Sequence, residues 1–264
     1  MTALLEIINN LDKDYDKKII ELQNYLNDNS EIVINWELFG LAITKNIVNE
    51  TVINERKKPV YLILHHCIER NSAKSKKGET LSFQDVMKIL DEAVNRFVTP
   101  QYFYKLINFR DQSGNTLLHQ AVIINNTDAI KALLKYGADP LIKDKNEQIP
   151  LDLAQGDTKK VLIECMKDQA KSKKESARCN SLIGIIPGVF LGIGLGVGSA
   201  LVPSMTIILC TLAVSALVAG IAVGVAIYFL SQDYKQAKSI EEAVNPQLSS
   251  VKHEKTADNK AVLG

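Results

Sequence analysis

His119, the adjacent pair His65 and His66, and four scattered cysteines are the side chains here with the clearest reach into chemistry. An imidazole becomes a general base only beside a nucleophile or an acid that orients it, and no such companion accompanies His119. Asp152 replaces it 33 residues later, which points to a structural post rather than a catalytic one. His65 and His66 are neighbours in sequence and do not share a helix face, so they make a poor metal pair. Cys67, Cys165, Cys179 and Cys210 lack the paired spacing of a zinc site and form no disulfide framework, which suits a reducing compartment. No phosphate-binding loop, paired-carboxylate site or Cys–His nucleophile pattern occurs. The expectation is therefore a non-enzyme with no catalytic, cofactor-binding or metal site.

What must position these residues is a repeat. The same 33-residue offset relates Asp111 to Asp144, Leu118 to Leu151, Ala121 to Ala154, and GNTLLHQA to EQIPLDLA. A fixed period of this size marks a stacked array, in which each unit buries its apolar face against its neighbours. Ile123, Ile130, Leu133 and Leu134 are spaced for helix faces, and Asn125-Asn126 interrupts them as a turn would. The pattern predicts one helix over 117–124, capped by Thr116, and a second over 128–136 with Asp128 in its opening turn. Gly137 stands where a helix stop wants left-handed backbone, and Asp139-Pro140 turns the chain outward.

These residues resemble the ankyrin repeat. Asp111, Gly114, Thr116, Leu118, His119 and Ala121 match its D-x-x-G-x-T-P-L-H-x-A, and Leu133, Leu134, Gly137, Ala138 and Asp139 its L-L-x-x-G-A-D. Leu117 replaces the usual proline and Asn125 the usual glycine, a position asparagine tolerates because it can adopt left-handed backbone. Pro150 restores the proline in the second unit. The resemblance implies an all-α solenoid that binds proteins, with the histidine tying adjacent loops together. It also implies contact through fingertips and first helices. The candidates are Phe109, Arg110, Gln112, Ser113, Asn115, Gln120 and Ile124, with Leu141, Lys143, Lys145 and Asn146 on the next finger.

Around this core the chain is read as five regions. Residues 1–57 form an N-terminal helical cap, with helices expected at Ile19–Leu26 and Trp36–Ile43. Residues 58–169 form the repeat region, clearest at 111–143 and ending in a short unit at 144–169. Within it, Pro59–Glu69 and Phe83–Phe97 are expected to pair as an earlier, degenerate unit, split by the polar insert NSAKSKKGET. A basic linker (170–181), a transmembrane hairpin (182–230) and a polar tail (231–264) follow. The formal net charge of +1 gives no field for nucleic acid.

No charged residue occurs from Cys179 to Gln232. Leu182–Val202 and Met205–Leu230 are each long enough to cross ~30 Å of hydrocarbon, with Pro203-Ser204 as the turn between them. Lys167, Lys171, Lys173, Lys174 and Arg178 precede the first span; Lys235 and Lys238 follow the second. The positive-inside rule then predicts an integral membrane protein with both termini cytoplasmic. Gly184, Gly188, Gly192 and Gly196 form one small-residue stripe, and Ala216, Gly220 and Gly224 another, suited to helix packing within the hairpin or to a homo-oligomer.

The expected function is protein–protein interaction from the cytoplasmic face of a bilayer. The architecture is similar to ankyrin proteins of obligate intracellular bacteria, which implies a host-directed role. The alternative is a membrane-active protein whose Gly-rich hairpin self-associates.

Overall fold

The computed structural model describes residues 15–29, 50–70, 73–74, 80–97, 100–201 and 206–245. The chain divides into two units, Met1–Cys165 and Met166–Gly264. The described residues are helical apart from loops and one two-residue antiparallel pairing.

The first unit opens with α1 (Tyr15–Asp28), whose Ile19, Leu22 and Leu26 recur at helical spacing and are buried. It packs on α2 (Glu50–Arg70). The expected start at Pro59 is corrected: the helix begins at Glu50 and holds the proline inside it. The helix expected at Trp36–Ile43 lies outside the described residues. Between α2 and α3 (Phe83–Phe97), the polar insert pairs β1 (Ala73–Lys74) with β2 (Thr80–Leu81), matching Ala73 to Leu81. An unforeseen helix, α4 (Pro100–Ile107), then leads into the first finger.

The repeat helices fall close to where periodicity put them, α5 at Leu117–Ile123 and α6 at Thr127–Lys135. α2 lies on α5 and α3 on α6, so the two helix pairs stack layer on layer. Ile63, Leu64 and Ile68 of α2, Val86, Met87 and Leu90 of α3, Leu118 and Val122 of α5, and Ile130 and Leu133 of α6 make the core. Each such side chain contributes about 1.5–3 kcal/mol when taken out of water.

Two asparagines make the tight turn between α5 and α6. Asn125 holds φ 60°, the left-handed backbone expected of the residue in glycine's place. Asn126 is the N-cap of α6. Its Oδ1 accepts from the Ala129 N–H at 3.0 Å, and its Nδ2 donates to the Ile68 carbonyl at 3.1 Å. One side chain therefore starts one helix and satisfies the end of another in the adjacent layer. Gly137, at φ 91°, ends the pair as expected.

The terminal unit is short. Pro150 opens α7 (Pro150–Leu153) at a first-turn position, where its missing N–H costs nothing, and α7 packs on α5. Gly156, at φ 52°, begins α8, which runs unbroken from Gly156 to Leu201. The stretch read as a basic linker, 170–181, is thus helix.

In the second unit, α8 is followed by α9 (Thr206–Leu230) and α10 (Gln232–Val244). Ser231 separates the last two, its hydroxyl oxygen accepting from the Tyr234 N–H at 3.2 Å. Met166, Ala170 and Ala177 on α8, and Ala237, Ile240 and Val244 on α10, are buried, each set at helical spacing. Lys174 Nζ meets both carboxylate oxygens of Glu241 at 2.6 and 2.7 Å, and Lys173 donates to Gln236 at 2.9 Å.

Among the described residues, one segment, Thr211–Leu230, is long and apolar enough to cross a membrane, with a mean hydropathy of 2.3. Only 6% of that window is buried, and Leu212, Val214, Val218, Ile221 and Phe229 are all exposed. A core helix of this composition would be covered. Gly220 and Gly224 are buried beside half-buried Ala216 on this helix. The first apolar stretch is helical as far as Leu201. The surroundings of Gly184, Gly188, Gly192 and Gly196, the Pro203-Ser204 turn and the tail beyond Asn245 lie outside the described residues.

Candidate functional site

The site grows from two aspartates that build two copies of one loop. Asp111 Oδ1 accepts from the N–H groups of Ser113 and Asn115, both at 2.8 Å. Asp144 Oδ1 accepts from Asn146 at 2.8 Å and Gln148 at 2.9 Å, the same bonds one period on. Backbone pairing repeats too, from Asp111 N–H to the Asn115 carbonyl and from Asp144 N–H to that of Gln148, each at 2.9 Å. The left-handed residue recurs as Gly114 (φ 82°) and Glu147 (φ 62°). Hydrogen bonds from Gln148 and Asn146 hold the Asp144 carboxyl below its ordinary range against the opposing effect of desolvation.

Four links lock the fingers together. The Lys145 N–H donates to the Ser113 carbonyl at 3.0 Å. Arg110 donates through Nη2 to the Lys143 carbonyl at 2.6 Å and through Nε to that of Gly114 at 3.2 Å. The Asp139 N–H donates to Asn108 Oδ1 at 2.8 Å. His119, fully buried, supplies the fourth: its Nε2 lies 3.2 Å from the Gln148 carbonyl.

The histidine's other nitrogen decides its chemistry. Nδ1 accepts from the Thr116 backbone N–H at 3.1 Å and lies 2.9 Å from the Thr116 hydroxyl. A nitrogen accepting from an N–H carries no proton, so the ring proton is on Nε2 and donates to Gln148. The hydroxyl–imidazole contact resembles half of a catalytic pair, but it is sealed from solvent and the lone pair is already engaged. Burial holds this imidazole below its ordinary range, opposed by the Gln148 bond and the charge of Asp144. One period on, Asp152 Oδ2 accepts from the Ile149 N–H at 2.9 Å. A carboxylate thus performs the capping half of the histidine's work where no further finger needs tying.

His66 is the second buried imidazole, and its Nε2 has no hydrogen-bond partner among the described residues. Burial, then the Arg70 charge, lowers its proton affinity. Both histidines bind protons more weakly folded than unfolded, so stability is intact above the ordinary imidazole pKa of about 6.5 and falls as pH drops through it. The thermal midpoint should fall between about pH 7 and pH 5, with Asp144 adding a further loss below about pH 4. A flat midpoint over the upper range would contradict the assignment.

Beside the first finger lies a cleft of about 520 Å³. Five of the residues singled out from sequence, Phe109, Arg110, Gln112, Ser113 and Gln120, line it together with Asp111. Asn115, Ile124, Leu141, Lys143, Lys145 and Asn146 are not among its lining residues. Ile124, Lys143, Lys145 and Asn146 are exposed there, while Asn115 and Leu141 are half-buried. The opposite wall escaped sequence reasoning: Gln23 of α1, and Lys58, Tyr61, Leu62 and His65 of α2. The i, i+3, i+4, i+7 spacing of the α2 residues was a usable sign of one shared face. Tyr61 joins the walls, its hydroxyl donating to Asp111 Oδ2 at 3.1 Å. Burial, and then the Asp111 charge, raises the pKa of that phenol. A second cleft of about 530 Å³, lined by Lys57, Tyr104, Lys105, Asn108 and Ile142, shares Phe109 and Arg110 with the first.

This geometry offers shaped, partly apolar surface rather than reacting groups. Among the described residues no cluster of histidine, cysteine or carboxylate side chains could hold a metal ion.

Residues 113–145 match the family described as the ankyrin repeat. Over 58 residues, 22% of this chain, the sequence is 48% identical to oxysterol-binding protein-related protein 1 of Mus musculus. It is 39% identical over 54 residues (20% of the chain) to regulatory protein SWI6 of Saccharomyces cerevisiae, and 41% over 49 residues (18%) to the 2-5A-dependent ribonuclease of Homo sapiens. The matched stretch spans 6% of the first of these proteins and 7% of the other two. No solved structure matches the chain. Proteins with such different names match it over short stretches, which is how a transferable module behaves. The chain carries an ankyrin repeat.

Proposed function

We propose that this is a membrane-anchored docking protein, in which the repeat unit grips a protein partner and the apolar helices hold the chain in a bilayer. The observation that carries it is the first finger. Its backbone is fixed by Asp111 and its cross-links, yet Gln112 and Ser113 remain exposed beside the cleft. A rigid loop that spends its backbone on the fold and leaves its side chains free suits recognition. α2 and α3 are read as a degenerate earlier unit, because they stack on α5 and α6 as one repeat stacks on the next.

Three features support the anchor. Thr211–Leu230 has the length and exposure of a lipid-facing helix. Tyr228, Phe229 and Tyr234 cluster at its end, with ring centroids 4.7–5.1 Å apart, as aromatic residues do at a membrane–water interface. Lys174 and Glu241 join the segments before and after the apolar stretch, which supports both flanks lying on one side and an even number of crossings. A hairpin satisfies this, with α8 continuing as its first crossing.

A photo-crosslinking amino acid at Gln112 of the membrane-embedded full chain tests the docking reading. It should trap a discrete partner band that disappears on Phe109→Ala, while the same probe at exposed Lys159 traps none. Identical patterns from both positions would reject it.

A further inference from the structure

The charges in the first cleft do not balance, and this identifies what it receives. This inference rests on the docking reading above and adds the chemistry of the partner. Asp111, the acid of the cleft, has both oxygens engaged by neutral donors, Ser113 and Asn115 on one and Tyr61 and Gln120 on the other at 3.1 and 3.4 Å, and its single charge offsets only one of the two cations there. Facing it, half-buried Lys58 makes no hydrogen bond or ion pair with any described residue. The Arg110 guanidinium is bonded to two carbonyl oxygens, which engage two of its N–H donors without cancelling its charge. Taking an ammonium partly out of water without an anion is costly, so the cleft is poised for a carboxylate.

Beside these cations lies an aromatic surface. The His65 ring stacks on Tyr61 at 5.8 Å and 9°, and Phe109 tilts against Tyr61 at 5.4 Å. The cleft volume falls within the ~300–1,000 Å³ typical of ligand sites, enough for a few residues of an extended chain. We propose that the cleft takes an acidic segment of a partner protein, with an Asp or Glu side chain on Lys58 and a neighbouring apolar side chain on Phe109 and Tyr61.

The test pans a random-peptide phage library against the full chain in detergent micelles; displayed peptides have no free C-terminal carboxylate, so an acidic preference reports side chains. The wild-type chain should enrich Asp or Glu next to an aromatic or aliphatic residue. Lys58→Glu should switch the recovered charge to Lys or Arg and weaken the wild-type-selected peptide by at least about tenfold. Lys58→Gln, which introduces no repulsion, should abolish the preference without reversing it, and matched thermal midpoints show that both variants are folded. Acidic peptides indifferent to either variant would overturn the inference. Peptides without acid whose binding is lost in Phe109→Ala would overturn it while leaving the docking reading intact. Recovery of no peptide by the wild-type chain would overturn both.

Discussion

Gly114→Ala will unfold the repeat unit, at a cost of more than about 3 kcal/mol, whereas Gly137→Ala will cost only about 1–2 kcal/mol. Both glycines are left-handed, at φ 82° and 91°, so backbone strain alone would make the two substitutions similar. Their surroundings separate them. A Cβ on Gly114 would stand 2.9 Å from the Lys145 backbone nitrogen, 3.0 Å from Arg110 Nη2 and 3.1 Å from the Asp144 carbonyl carbon. Nothing lies within 4 Å of one on Gly137. The crowding atoms at Gly114 are mostly backbone of the next finger and cannot rotate away. Relief requires the fingers to part, which breaks the Lys145–Ser113 bond and the Arg110–Lys143 bond, each worth about 0.5–1.5 kcal/mol. Thermal unfolding followed by circular dichroism in micelles measures both variants, and equal losses would show that the close finger packing contributes nothing.

The second large effect belongs to His119. His119→Ala will cost about 3–5 kcal/mol, because it strands the Thr116 N–H, removes one of the two hydrogen bonds to the Gln148 carbonyl and opens a cavity in a fully buried position. His119→Asp separates the two roles of the ring. A carboxylate can accept from the Thr116 N–H, as Asp152 does from Ile149, but it has no proton for Gln148 and buries a charge. It should therefore be no more stable than the alanine variant. Asp152→Ala, at an exposed position that only caps a helix, should cost about 0.5–2 kcal/mol. If His119→Asp restored wild-type stability, capping rather than the link between fingers would be the histidine's contribution.

Legibility from sequence followed the range of the forces involved. The repeat could be read because its signals are local and recur: Asp111 and Asp144 nucleate loops from their own next residues, and Gly137 and Asn125 report their backbone directly. Half of the cleft could be read for the same reason, since Phe109, Arg110, Gln112, Ser113 and Gln120 belong to one finger and the helix after it. Lys58 and Tyr61 could not, because they reach the finger across some 50 residues of chain, through a stacking contact that no local pattern encodes. The continuity of α8 was hidden differently. Its 46 residues pass from polar to apolar composition with no proline or glycine cluster at 170–181, and a change of composition carries no signal that the backbone continues as one helix. The burial of Ala170, Ala177 and Ala237 is faint in sequence because alanines give little hydrophobic contrast.

Labelling by a membrane-impermeant maleimide in sealed vesicles tests most directly the claim that one chain displays its repeat face from a bilayer on the side where both flanks emerge. Native Cys179 is exposed ahead of the apolar stretch, and cysteines introduced at exposed Gln232 and Gln112 report the flank beyond it and the finger, with Cys165 replaced by serine. All three positions should react from the same side. Cys179 and Gln232→Cys reacting from opposite sides would contradict the hairpin, and with it the stalk that joins Lys174 to Glu241.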